Sequence, residues 1–260
     1  MKEEKIRLLD GSLHNKQELL DNAFSDEFYY GFLGKVALSS SSCKLLLDSP
    51  KTYHYVTTYG NPSSQALRDG WLFHTMILEP EKIDECVFVN VQSKNTKAYK
   101  EAVQYHDNVF TIKEKQEAER LVDGLLRNEQ SKSLIGNAQY EIPAVGLIED
   151  IPFRAKADIL KVNGGIIDLK TTVDVSNFHI SARKWRYHVQ VYIYCTLFEQ
   201  DWKDFKFLCV DKKNLDIGVF DVSEEFFELG RQDTLRAIEV YQKFFKDDFD
   251  LNDYVLTGTL

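Results

Sequence analysis

What this chain lacks is paired cysteines, an excess of cations and long apolar runs. Its four cysteines, Cys43, Cys86, Cys195 and Cys209, are scattered with no CxxC pair, which argues against both a disulfide framework and a zinc site of the usual spacing. No apolar stretch reaches the roughly 18 to 20 residues of a membrane-spanning helix, and Met1-Lys2-Glu3-Glu4-Lys5 leads into no signal-peptide apolar region. We therefore expect a cytoplasmic protein with no membrane association. Long linkers and low-complexity tracts are also missing. With 43% hydrophobic and 13% aromatic residues, the 260-residue chain has enough apolar material for one sizeable core. We expect a single domain over 1–260, with a lead-in at 1–35, a core at 36–245 and a tail at 246–260. Acids outnumber Lys and Arg 41 to 32, for a net charge of −9. A nucleic-acid-binding chain of this charge must concentrate its cations in a groove rather than spread them.

What is present centres on Asp158, Asp168 and Lys170. The runs 153–162 and 166–171 are rich in β-formers, and Asn163-Gly164-Gly165 between them supplies residues that tolerate positive φ. The pattern predicts a hairpin. With a three-residue loop, Val162 pairs with Ile166, Leu160 with Asp168 and Asp158 with Lys170, and alternation puts the two acids and the lysine on one face. A two-residue loop would turn Asp158 away. Two carboxylates and an ammonium so arranged can hold a divalent metal beside a phosphate, which points to phosphodiester hydrolysis. An edge hairpin bearing solvated charges fits the same residues, although the apolar flanks on both strands favour burial, where carboxylates need a counter-charge or a metal.

Downstream, residues 182–199 read as one helix on which Tyr187, Gln190 and Tyr194 fall at i, i+3 and i+7 and line one face. A tyrosine and an amide one turn apart can donate to phosphate oxygens without adding charge. Upstream, Ser63 or Ser64 caps a helix running to Glu79, with Pro80 as its stop, and Leu67, Trp71, His74 and Leu78 form an apolar stripe on it. On such a stripe a histidine is ordinarily a core residue.

The rest of the chain reads as scaffold. Ser39–Ser42 start a helix; a hydroxyl-rich helix start can hold a 5′-phosphate, here with help from Arg68, although plain capping is the preferred reading. Helices are expected at 94–106, 113–128 and 224–245, with an extended link at 108–112. Strands are expected at 139–149, 205–210 and 215–222, the first of them carrying Glu141 and Glu149, either of which could approach a metal. The order of elements implies an α/β fold with a central mixed sheet flanked by helices. Candidate DNA-binding cations are Arg183, Lys184 and Arg186, together with Arg154 and Lys156, which share a strand face with Asp158. Glu224, Glu225, Asp247 and Asp248 are acids expected on outer surfaces.

Lys156-Ala157-Asp158, then Ile167-Asp168-Leu169-Lys170-Thr171-Thr172 and Tyr187-His188-Val189-Gln190, resemble the PD-(D/E)xK nuclease superfamily, specifically its exonuclease VIII (RecE) type from phages and prophages. Upstream segments around Ala37–Ser41, Ser49–Tyr53 and Ala66–Pro80 resemble that type's N-terminal signature in the same order, so the likeness runs from about residue 36 to about residue 245. The resemblance implies a restriction-endonuclease-like core of the lambda-exonuclease type. The implied activity is Mg²⁺-dependent 5′→3′ digestion of linear double-stranded DNA, leaving 3′ single strands for a partner annealing recombinase in a bacterial host. It further implies a ring-shaped tetramer. Asp158, Asp168, His74 and Leu169 would be metal ligands, Lys170 would orient water or stabilise charge, and Gln190 and Tyr187 would sit beside the scissile phosphate. Ala157 stands where the superfamily has proline, and the second acid is Asp168 rather than Glu; neither change removes a ligand. An imidazole ligand leaves room for Mn²⁺ to substitute. The scattered cysteines speak against the four-cysteine iron–sulfur cluster of some superfamily members. Two alternatives stay open, a single-strand or endonucleolytic member of the superfamily and a non-catalytic DNA-binding module with the same fold.

Overall fold

The computed structural model describes residues 4–60, 64–246, 250–255 and 257. Met1–Glu3, the alternative cap Ser63, and Asp247 and Asp248 lie outside the described residues. In chain order the structure runs β1 (Lys5–Arg7), β2 (Leu13–Asn15), α1 (Lys16–Asn22), a wide-turn helical segment Glu27–Phe32, α2 (Leu33–Val36), α3 (Ser40–Asp48), α4 (Pro50–Tyr59) and α5 (Gln65–Leu78). Next come β3 (Val87–Val89), α6 (Lys97–Ala102), β4 (Val109–Thr111), α7 (Ile112–Arg127) and α8 (Glu129–Ile135). The remainder is β5 (Ala138–Ile148), β6 (Ile151–Lys161), β7 (Ile166–Thr172), α9 (Phe178–Lys184), α10 (Tyr187–Leu197), β8 (Phe205–Asp211), β9 (Ile217–Asp221) and α11 (Glu224–Tyr241).

Strands β5 to β9 form one mixed sheet in sequence order, antiparallel except where β8 lies parallel to β7. That parallel pairing needs a crossover, which α9 and α10 provide. Alternation along the central strands feeds two cores. Ile167, Leu169, Leu208 and Val210 pack with Phe73 and Leu78 of α5 and Leu121 and Leu125 of α7. Ile166, Phe205, Phe207 and Cys209 pack with Phe178, Ala182, Val191 and Cys195 of α9 and α10. The sheet is thus covered by helices on both faces.

Local chemistry sets the boundaries. Ser39 accepts from the Ser42 amide and Ser64 from the Leu67 amide, so both expected helix starts hold as caps. The β5–β6 hairpin turns on Glu149–Asp150, both with positive φ (49° and 60°), the conformation a two-residue hairpin loop demands. Two expectations are corrected. The helix expected over 182–199 is two helices, because Arg186 adopts a left-handed φ of 51° between α9 and α10. The β6–β7 register is Leu160 to Ile166 and Ile159 to Ile167, not Val162 to Ile166. The connection therefore spans 161–165, with Gly164 and Gly165 at φ of 92° and 98°.

Candidate active site

The β6–β7 ladder is only two pairs long. Beyond Ile159 and Ile167 the strands part, and Asp158 bridges the gap: its Oδ2 accepts the Leu169 main-chain N–H at 2.8 Å. A side chain has replaced a ladder hydrogen bond, which anchors that carboxylate at the fork. The leucine side chain itself is fully buried, so only the main chain of Leu169 faces the site. Two residues of register shift preserve the strand face, and the shift brings Asp168 level with Asp158 instead of Leu160.

Asp168 is fully buried under α10. Its Oδ1 accepts from Gln190 Nε2 and its Oδ2 meets Lys170 Nζ as an ion pair, outside the angles of a directed hydrogen bond. Lys170 Nζ lies 4.9 Å from the centre of the Tyr187 ring. Thus Asp168, Lys170, Gln190 and Tyr187 meet in one place. Tyr194, on the same helix, is half-buried near Tyr29, Asp158 and Asp168, and desolvation pushes its phenol well up.

His74 arrives from α5. The helix buries Leu72, Phe73, Thr75 and Leu78, while Leu67 is 57% and Trp71 37% exposed. The stripe of Leu67, Trp71 and His74 is therefore not a core face, which corrects the expectation of a core stripe. His74 Nδ1 stands 3.5 Å from Asp158 Oδ2. Glu141 completes a group: His74, Glu141 and Asp158 each offer a ligand atom within 4.8 Å of the others. Asp168 is not of that trio, although the charges of both Asp158 and His74 bear on it.

Glu141 is one of two glutamates in the strand expected over 139–149, and the sequence does not single it out; in the structure Glu149 belongs to the turn. The signal is the turn: counting outward from Glu149–Asp150, Glu141 falls opposite Asp158 between the pairs Tyr140–Ile159 and Ile142–Ala157. There alone the β5–β6 ladder skips a pair, and Glu141 carries a left-handed φ of 49°. A non-glycine residue held so is costly and turns its side chain toward the fork.

The electrostatics fit a cation. Burial, with Asp158 and Glu79 adding repulsion, pushes Glu141 up to about 8. Burial also raises Asp168, with Lys170 opposing and Asp158 reinforcing the rise. Lys170 is held above the ordinary lysine range, because Asp168 and Asp158 outweigh its own burial. An acid-rich fork that resists its own ionisation is what a hard divalent ion would relieve.

The expected DNA-binding cations are distributed unevenly. Arg154 lies over the Tyr29 ring at 4.4 Å, and Lys156 pairs with Asp26 at 2.7 Å beneath Tyr29 and Tyr30. Arg68 donates to the Val109 carbonyl and stacks on Phe110 at 4.5 Å, away from the Ser39–Ser42 cap. Arg186 is shared between Asp233 (3.1 Å) and Asp48 (3.4 Å). Arg183 is exposed and pairs with Glu225, and Lys184 is exposed beside Trp185. No helix among the described residues is long and apolar enough to cross a membrane.

Comparison with known proteins identifies the family and the fold. Residues 39–250 match the family described as a PDDEXK-like domain of unknown function (DUF3799). The fold is similar to that of a candidate exonuclease from Eubacterium rectale, with a TM-score of 0.63 at 17% identity over 91% of this chain and 95% of that one. A phage-related exonuclease from Haemophilus somnus 129PT overlaps at a TM-score of 0.36 and 15% identity, over 79% of this chain and 93% of the other. Nothing among curated proteins matches the sequence.

Proposed function

From the premise that the chain belongs to the PDDEXK-like DUF3799 family, we propose that it is a divalent-metal-dependent DNA exonuclease of the exonuclease VIII type, digesting linear duplexes 5′→3′ to leave 3′ single strands. The observation that carries this reading is the convergence of His74, Glu141 and Asp158 at a strand fork whose next strand presents Asp168 and Lys170. Family and fold alone would be compatible with a module that binds without cutting. A full set of acids, a lysine and an amide favours catalysis.

His74, Glu141 and Asp158 would hold the metal, with Asp168 beside them, and Mg²⁺ is the ion their oxygen-rich set suits, Mn²⁺ substituting at the imidazole. When bound, such an ion supplies Lewis acidity that draws charge from the phosphodiester. Lys170 stays protonated against Asp168 and so offers a fixed positive charge where negative charge develops on phosphate. Gln190 uses one amide hydrogen to fix Asp168 and keeps a second donor for a phosphate oxygen or the attacking water. Tyr187 holds its ring against the Lys170 ammonium and so limits where that charge can move. Arg183 and Lys184 are the exposed cations we assign to the DNA backbone. An annealing recombinase as partner and a ring tetramer as assembly belong to the same proposal.

The test is digestion of linear duplexes labelled at either 5′ or 3′ end, in Mg²⁺ or EDTA, by the natural chain and by Asp168→Ala. We expect metal-dependent loss of nucleotides from 5′ ends and none from the variant. Undiminished digestion by Asp168→Ala would reject the site, and nicking of closed circles would replace an exonuclease with an endonuclease.

A further inference from the structure

One cation near the fork has no assigned role. Lys44 sits on α3, and its Nζ lies 5.1 Å from the centre of the Tyr187 ring, the same ring that Lys170 approaches to 4.9 Å. Both ammonium groups therefore lie over a single aromatic ring beside Asp168. They differ in one respect. Lys170 has Asp168 as its counter-ion, whereas Lys44, among the described residues, makes no ion pair or hydrogen bond. Its stem is partly buried between α3 and α10, and burial, with Lys170 adding repulsion and Asp168 opposing it, brings its pKa down to about 8.

Such a placement is unfavourable in the free protein. A partly desolvated ammonium gains from a π face only a fraction of what a carboxylate would return. Yet no acid has been placed against it, and the neighbouring charge on the same ring is another lysine. The arrangement makes sense when a ligand brings the anion. The remaining cations near the site are already engaged: Lys156 by Asp26, Arg154 by the Tyr29 ring and Arg186 by Asp48 and Asp233. In a chain of net charge −9, an unpaired ammonium next to the proposed catalytic lysine marks where negative charge is to be received.

We propose that Lys44 is a substrate-contacting residue, whose ammonium takes a non-bridging oxygen of a DNA phosphate at or next to the linkage being cut, over the Tyr187 ring that it shares with Lys170. This rests on the nuclease reading above and adds a residue to it. A purely structural lysine would cover α10 with its stem and leave the DNA indifferent to its charge.

The experiment compares Lys44→Met, which keeps length and helix preference, and Lys44→Arg, which keeps charge, with the natural chain. Binding to a 5′-phosphorylated duplex is measured by anisotropy with Ca²⁺ in place of Mg²⁺, across a salt series. Thermal melts confirm that each variant folds. Lys44→Met should bind about ten-fold more weakly or worse, and the slope of log affinity against log salt should fall by about 0.9, the share of one phosphate contact on duplex DNA. Lys44→Arg should recover most of both. On duplexes with one neutral methylphosphonate at the first or second linkage from the 5′ end, the difference between Lys44→Met and the natural chain should vanish at one of the two positions. Equal loss on every duplex, or no loss and an unchanged salt slope, overturns the proposal. Cleavage in Mg²⁺ separates the two readings. A natural chain that never cuts linear DNA refutes the nuclease, whereas a natural chain that cuts, beside a Lys44→Met variant that binds and cuts equally well, refutes only the role of Lys44.

Discussion

Glu141 is the side chain at which folding and the proposed metal binding would meet. Its carboxyl is raised from an ordinary 4.5 to about 8 in the folded chain, first by burial and then by Asp158. The folded protein therefore keeps a proton that the unfolded chain releases, and stability must fall as pH rises from the ordinary carboxylate range through about 8. We expect melting temperatures in EDTA to decline over that interval, Glu141→Gln to flatten the decline, and saturating Mg²⁺ to oppose it in the natural chain only. A natural chain whose EDTA melts are level across that interval would show that Glu141 is not so burdened. The same substitution removes a proposed ligand, so on the proposed function the Mg²⁺ needed for half-maximal cleavage should rise by about ten-fold or more, which a metal titration reads directly. Asp158 and His74 were legible from their motifs. Glu141 was not, because its position depends on a left-handed residue opposite Asp158 rather than on any spacing from the DxK segment.

The helices that deliver Gln190 and Tyr187 depend on close packing. α10 lies against α11, where Gly230 leaves no room for even a methyl group against the His188 carbonyl and Tyr192. Gly230→Ala should therefore cost about 1–3 kcal/mol through overpacking, seen as a lower urea midpoint, and should lower activity by shifting α10. A neutral result would mean that the two helices part without penalty. Below that contact, Asp233 accepts from His188 Nε2 at 3.0 Å and from Arg186 at 3.1 Å, which pins the first turn of α10. Asp233→Ala strands a buried histidine and leaves Arg186 only Asp48, and we expect it to destabilise by about 1–3 kcal/mol, measured by chemical denaturation. The sequence pattern read α9 and α10 as one helix since nothing between residues 182 and 199 is a helix breaker; the break comes from Arg186, whose left-handed turn is held by Asp48 and Asp233 from two other helices.

For the molecule as a whole, charge is the governing quantity. A chain of net charge −9 approaches a polyanion only through a local positive field. Affinity for duplex DNA should thus fall steeply with salt, by about 10³-fold or more between roughly 50 and 200 mM if some six phosphates are engaged. Affinity that barely changes over that range would contradict a phosphate-driven interface. Lys156 and Arg154 were expected in that field because they alternate with Asp158, yet the segment Glu27–Phe32 and Asp26 fold over them. Contacts of this kind join residues far apart in the chain, and no local pattern reports them.

The five strands of the sheet, the long helices α5, α7 and α11, a helix start at Ser39, the β6–β7 hairpin with its two acids and lysine, and the family likeness were written in local periodicity and motif order, since these depend on neighbours a few bonds away. Only the folded chain decided that the two strands fork at Asp158, that Glu141 joins His74 there, and that Lys44 reaches Tyr187 from a helix remote in sequence. The reason is physical: alternation and helical pitch set which way a side chain leaves its own element, but which charges then meet is settled by how separate elements pack.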